Sequence, residues 1–170
     1  MRPVIGLTPP TYSPPLDLVT TAALSQLRAT GRVVFDSVYA RVPELVTQNA
    51  GYAADPMKPP YPYGIFYSLP GGSSDLTPDL AVSRKVVELA FQVTAVSNLR
   101  NQCQATGRLF RDRLLARTRD GFVHDLPMPT DWECTDRTPD GAMPGVDVSG
   151  DATSRVYSQP FRFYLTISRV

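Results

Sequence analysis

The chain has 170 residues, a net charge of +1 and a hydrophobic fraction of 42 %. Its length suits one domain with a substantial core, because folding at this size buries roughly 70 % of the chain's surface. The balanced charge argues against a dedicated nucleic-acid binder, which carries a basic excess. The sequence offers neither a membrane-spanning stretch nor a signal peptide, so we expect the protein to be made and used in the cytoplasm.

Prolines separate the start of the chain from a first helix. Residues 1–15 contain five prolines, which predict an extended N-terminal arm outside the core. Apolar residues then recur at helical spacing from Leu16 to about Thr30, and Gly31 provides the helix stop. We expect residues 16–170 to form a single α+β domain.

Alternating apolar and polar residues predict three strands in the next part of the chain. They cover residues 33–40, 61–69 and 86–97, with Gly- and Pro-rich loops at 45–60 and 70–75. The second strand should carry Tyr63, Ile65, Tyr67 and Leu69 on one face. The third strand has the clearest alternation, and we expect its apolar face to be core: Val87, Leu89, Phe91, Val93 and Ala95.

A second amphipathic helix is predicted over residues 99–119, capped by Asn98 and closed by Gly121. Arginine and glutamine form its outer stripe. The inner stripe consists of Leu99, Cys103, Thr106, Phe110 and Leu114.

The last part of the chain combines an irregular segment with a final strand. Residues 120–153 are rich in Asp, Gly and Pro, which predicts a long loop with a short strand at 132–134. Such a loop is typical of a functional segment or of one ordered by a partner. Residues 161–168 alternate again. The order of predicted helices and strands indicates an α+β fold, a two-layer sandwich. We expect a mainly antiparallel sheet of about four strands, packed with two helices and joined by long loops.

Few residues suggest a catalytic or metal-binding site. Asp131, Glu133 and Asp136, with the single histidine His124 nearby, could bind a divalent metal as a hydrolase does, but acidic residues are also common on solvated loops. We therefore expect no catalytic residue, no cofactor and no metal. In a cytosolic protein the two cysteines, Cys103 and Cys134, are expected to be free and buried. Their spacing matches no zinc pattern.

Other residues are better candidates for contacts with a protein partner. The glycine-rich loop after the second strand lacks the lysine of a phosphate-binding P-loop. The tryptophan in the acidic segment is either a local anchor or an interface residue. The candidate interface residues are Gly71, Gly72, Asp75, Trp132, Arg100, Arg108 and Arg111.

Several short sequence segments, called phrases below, give the chain a resemblance to a known family through the order in which they occur. They are Ala29-Thr30-Gly31, Tyr61-Pro62-Tyr63-Gly64-Ile65-Phe66-Tyr67, Leu69-Pro70-Gly71-Gly72, Leu89-Ala90-Phe91-Gln92-Val93-Thr94-Ala95-Val96, a helix with Arg100, Gln102, Ala105, Leu109 and Arg113, and Phe161-Arg162-Phe163-Tyr164-Leu165. In this order the chain resembles the tail terminator proteins of long non-contractile-tailed (siphovirus-type) bacteriophages, particularly those of actinobacterial hosts. The resemblance covers about residues 16–170; the arm and the 45–60 insert fit it less well.

The resemblance implies a structural virion protein without enzymatic activity. Such a protein assembles in the host cytoplasm as a ring, expected to be a hexamer, at the head-proximal end of the tail. There it ends polymerisation of the major tail tube protein and contacts a head-completion or stopper protein. Genomic DNA passes through the lumen without specific binding, and no membrane is involved. The alternatives are another neck or head-completion protein, and a metal-dependent hydrolase using Asp131, Glu133 and Asp136.

Overall fold

The computed structural model describes residues 16–36, 61–69, 86–151 and 155–170. The predicted arm, the two Gly- and Pro-rich loops and the end of the first predicted strand lie outside these ranges. Within them the chain is α+β, as predicted. Its elements are α1 (Leu16–Arg28), β1 (Val33–Asp36), β2 (Tyr63–Ser68), β3 (Val86–Ser97), α2 (Arg100–Leu115), β4 (Arg117–Thr118), β5 (Gly121–Phe122), β6 (Trp132–Pro139), β7 (Asp147–Ser149) and β8 (Val156–Arg169).

Six of the described strands form one open sheet. Its order is β1-β2-β3-β8-β6, and β7 pairs with the free part of β8. The β1–β2 pair is parallel and the other pairs are antiparallel, so the sheet is mixed but mainly antiparallel. β3 and β8 pair along twelve residues at the centre, from Val86↔Ser168 to Ser97↔Tyr157. The short strands β4 and β5 form a separate hairpin.

Both helices pack against one face of this sheet. Buried apolar residues of α1, α2, β3 and β8 belong to one core cluster, and the alternating face of β3 lies within it, as predicted. At its centre Phe91 stacks on Phe66 and on Phe163, with ring centroids 5.2 and 5.7 Å apart. All three rings are fully buried, so the aromatic contacts join the three central strands β2, β3 and β8.

The α2 helix buries its predicted inner stripe with one exception. Cys103, Thr106, Phe110 and Leu114 are buried, whereas Leu99 is half exposed at the helix start. The predicted cap at Asn98 is wrong: Leu99 occupies the N-cap position, with no side-chain capping bond. The helix also ends at Leu115, before the predicted residue 119, because Ala116 takes an extended backbone conformation.

Successive residues of β2 face opposite sides of the sheet, as in any strand. Its predicted face lies away from the helices, where Tyr63 joins Phe35 and Val96 in a second, smaller cluster. Gly64 and Phe66 point toward the helices and are buried. Strand β2 therefore contributes to both faces of the sheet rather than to one apolar side.

The segment after α2 is more regular than predicted. The predicted strand at 132–134 extends to Pro139, and both β6 and β7 pair with β8. A bulge interrupts the β6 register between Cys134 and Asp136. Arg137 is the one buried residue of β6, and Trp132 and Cys134 pack partly against the core, so backbone pairing with β8 is a major source of the strand's stability. The few apolar residues explain why the sequence pattern predicts only its first three residues.

Candidate functional site

Among the described strands, β1 and β6 lie at the two ends of the sheet, and each accepts a hydrogen bond from an arginine. At one end, Arg28 Nε of α1 donates a hydrogen bond to the Val34 carbonyl of β1, at 3.1 Å. At the other end, Arg117 Nη2 donates to the Arg137 carbonyl of β6, at 3.2 Å. In each case an arginine occupies a backbone acceptor of an edge strand, which hinders pairing with a further strand at that position.

The three arginines predicted as interface residues lie along α2. Arg100 and Arg108 are exposed, whereas Arg111 is half buried near the end of the helix. Arg100 and Arg111 are about 16 Å apart along the axis, at about 1.5 Å per residue. The exposed carboxylate of Asp112 interrupts the basic stripe. The surface therefore offers separate arginines to a partner rather than a continuous cationic face.

The predicted tryptophan lies at the start of β6. Trp132 is half buried against the main core cluster, and its backbone N–H donates to the Pro129 carbonyl at 3.1 Å. The indole is thus anchored locally, while its role in an interface stays a prediction. The other loop candidates, Gly71, Gly72 and Asp75, lie outside the described residues.

Asp136 of the acidic triplet is held by an arginine. Its carboxylate forms an ion pair with Arg117 and accepts hydrogen bonds from the Arg137 backbone N–H at 2.8 Å and from Thr138 Oγ1 at 3.1 Å. Slight burial raises the pKa of Asp136, but these hydrogen bonds and the arginine charge outweigh it and lower the pKa overall. The Asp136 carboxylate therefore links β6 to Arg117 of the β4 strand.

The other two acids of the triplet lie apart from that pair. Ser168 Oγ donates to Glu133 Oε1 at 2.9 Å, and the backbone carbonyl of Asp131 accepts from the N–H of Val170 at 3.0 Å. In the part of the chain that the structure describes, no group of three His, Cys, Asp or Glu residues is arranged to hold a metal ion. The structure thus gives Glu133 and Asp136 hydrogen-bonding roles within the sheet.

The histidine and the cysteines also have local partners. Arg113 Nη1 lies 3.1 Å from His124 Nδ1. Both cysteines are free, as predicted, but only Cys103 is also buried, whereas Cys134 is half buried. Cys103 is buried, and its thiol donates to the Ala95 carbonyl. Burial raises the pKa of Cys103 to about 11 and also raises the pKa of Cys134, so neither thiol has the lowered pKa of a catalytic nucleophile.

A cleft of about 370 Å³ lies where α2 ends beside β6. Three arginines, Arg111, Arg117 and Arg137, line it together with Asp112 and with Leu115, Ala116, Thr138 and Pro139. The hairpin β4–β5 lies beside it, because Arg117 belongs to β4. Of these arginines only Arg111 was predicted from the sequence as an interface residue, and a concave site was not predicted here.

Arg137 has an unusual environment for an arginine. Its side chain is 3 % exposed, and Nη1 donates to the carbonyls of Leu114 at 3.0 Å and His124 at 2.7 Å. The first bond satisfies a carbonyl in the last turn of α2. The ring of Phe122 lies 4.3 Å from the Arg137 guanidinium and 4.4 Å from that of Arg117, within cation–π distance of both. Arg137 therefore joins α2, the hairpin and β6.

The face of the sheet away from the helices combines aromatic and polar side chains. Tyr61 and Tyr63 stack with centroids 5.5 Å apart. Burial raises the pKa of Tyr61, Tyr63 and Tyr67, so all three hydroxyls stay protonated at neutral pH. Further along, Arg162 Nε donates to Gln92 Oε1 at 3.2 Å. This face has the composition of a protein contact surface.

Neither a known protein-family model nor a curated protein sequence matches this chain. In the described ranges, α1 and α2 both lack the length and apolarity that crossing a membrane requires.

Proposed function

We propose that this chain is a tail-terminator-type structural protein of a long-tailed bacteriophage. In this proposal its copies form a ring, expected to be a hexamer, on the head-proximal end of the tail tube. The ring ends polymerisation of the tube protein and provides the surface for a head-completion protein. Assembly proceeds by complementary surfaces, without a chemical step.

The observation that carries the proposal is where the phrases of the family resemblance lie in the fold. The aromatic phrase forms β2, the alternating phrase forms β3, and the C-terminal phrase lies in β8. These strands are neighbours in the sheet although they are distant in sequence. The residues of the helix phrase lie on α2, where Arg100, Gln102, Ala105 and Leu109 are exposed, while the other face of the same helix packs on these strands. The three strand phrases therefore lie in one packed unit, which supports a common fold rather than scattered similarity.

The two ends of the sheet support head-to-tail association. A closed ring needs two different, complementary surfaces on each subunit. One end of the sheet has β1 beside α1, and the other has β6 beside the arginine-lined cleft. Because arginines occupy edge carbonyls at both ends, we propose that subunits contact each other through side chains, without extending the sheet between them.

The hydrolase alternative receives less support from the acidic triplet. A magnesium site needs several carboxylate oxygens directed at one point. Here Asp136 pairs with Arg117, and Glu133 accepts a hydrogen bond from Ser168. If these carboxylates bound a metal ion, both contacts would be broken. We therefore favour a structural role for Glu133 and Asp136 over metal binding.

Electron microscopy of the purified full chain with tail tubes would test the proposal. The tubes would be polymerised from a purified siphovirus tail tube protein. We expect negative-stain images to show a ring at one end of each tube, and tubes to stop growing when the chain is added. Tubes with two bare ends that continue to lengthen would contradict the proposal.

A pair of charge reversals would locate the interface. Arg108→Glu changes an exposed arginine of α2 that we predict to be an interface residue, and Arg155→Glu changes an exposed arginine outside the predicted set. We expect only the first to reduce ring occupancy on tubes, with unchanged melting temperatures for both. Equal occupancy in the two variants would exclude the outer face of α2 from the interface.

A further inference from the structure

The buried guanidinium of Arg137 lacks a compensating carboxylate. Within the described ranges Nη1 donates hydrogen bonds to two backbone carbonyls, the Cys134 thiol also lies beside the guanidinium, and no carboxylate pairs with it. Its Nε is also buried without a hydrogen-bond partner. A buried charge without a counter-charge is costly, and two backbone carbonyls and a π face offset it only partly.

Two further arginines lie near the buried Arg137 guanidinium and raise the positive charge of the cleft. Arg111 and Arg117 line the same cleft, whereas the acid lining it is Asp112. The nearby carboxylate of Asp136 is already paired with Arg117. Three guanidiniums and two carboxylates leave the cleft with an excess of one positive charge. A single anionic group in the cleft would balance it and accept hydrogen bonds from the more accessible guanidinium groups of Arg111 and Arg117.

We propose that this cleft binds one carboxylate, the side chain of an Asp or Glu presented by a protein chain. The lining favours a carboxylate over a phosphate group of a nucleic acid. Asp112 and Asp136 would repel a chain of phosphates, whereas one carboxylate meets only the local excess. Leu115 and Pro139 offer apolar contacts for the methylenes of an acidic side chain, and a guanidinium matches a carboxylate in a bidentate manner. This assignment does not depend on ring formation.

Titration with a capped amino acid would test the site in the full-length protein. The probe is N-acetyl-glutamate amide, and the matched neutral probe is N-acetyl-glutamine amide, both followed in ¹⁵N-correlated NMR spectra at constant ionic strength. We expect saturable shifts of the amides of Ala116 and Thr138 and of the Nε–H signal of Arg137 with the glutamate probe alone. Equal shifts with both probes would overturn the proposal.

Variants and a second anion complete the test. Arg111→Gln removes an arginine from the cleft without touching the buried Arg137, so the fold should persist. It should weaken binding of the glutamate probe about tenfold, the loss expected for one charge-assisted hydrogen bond. Arg155→Gln, outside the cleft, should bind like the parent. Unchanged binding in Arg111→Gln, or saturation by inorganic phosphate but not by the glutamate probe, would overturn the carboxylate assignment.

Discussion

The contact between Gly64 of β2 and Phe110 of α2 predicts a strong dependence on side-chain size. An ideal Cβ added at Gly64 would lie 2.6 Å from Cε2 and 2.8 Å from Cζ of the Phe110 ring. Both residues are buried, and the ring is fully enclosed by the core. The substitution Gly64→Ala therefore forces the ring or the strand to move by several tenths of an ångström.

The expected magnitude combines two opposing effects. Overpacking a closed core costs about 1–3 kcal/mol, and the enclosed ring suggests the upper part of this range. Replacing a strand glycine by alanine regains about 0.5–1 kcal/mol of backbone entropy. We expect a net loss of about 2 kcal/mol in the free energy of unfolding. Phe110→Leu alone should also destabilise, because it leaves a cavity.

A double-mutant cycle measured by urea unfolding would test this account. The double variant with Gly64→Ala and Phe110→Leu should be more stable than the sum of the single changes predicts, by about 1 kcal/mol. The control is Gly107→Ala in α2, whose Cβ would meet the ends of two side chains, Gln159 Oε1 and Met143 Cε. We expect no rescue of that variant by Phe110→Leu. Additive effects in the Gly64 cycle would refute the steric explanation.

Three further predictions concern the core, the edge and a thiol. Phe91→Ala should lower the free energy of unfolding by about 3–5 kcal/mol, because Phe91 lies fully buried between two other rings; an unchanged melting curve with loss of assembly alone would make this face an interface. Folding lowers the pKa of Asp136, so its stabilising effect is present above the ordinary value of 3.8 and is lost as the pH falls through the folded value. Urea unfolding should therefore show Asp136→Asn as less stable than the parent at pH 7 and equal to it once Asp136 is protonated. Cys103 should resist thiol reagents at pH 8 until the protein unfolds, because it is buried and its pKa is about 11; rapid labelling of the native protein would contradict its burial.

The elements that the sequence predicted well are those whose side chains determine their position. Strand β3 matches its predicted bounds, since its alternation fits a sheet with one face in the core. The inner stripe of α2 is likewise buried from Cys103 to Leu114. In both elements the apolar period coincides with the geometry of the backbone, so the packing could be read from the pattern.

The missed features depend on contacts between distant parts of the chain. Only residues 132–134 of β6 were predicted as a strand; its extension to Pro139 depends on pairing with β8, which no local pattern indicates. The cleft escaped prediction for a related reason. Arginine is usually exposed, and only the meeting of α2, the hairpin and β6 buries Arg137.

The arginine contacts at both ends of the sheet also bear on solubility. Bare strand edges attract other strands in many registers and lead to disordered aggregates. Here a foreign strand would first have to displace Arg28 or Arg117 from an edge carbonyl. Pairing of a foreign strand is therefore disfavoured at these two carbonyls. In the ring proposed above, neighbouring copies would associate through side-chain surfaces, which define one orientation and one register between them.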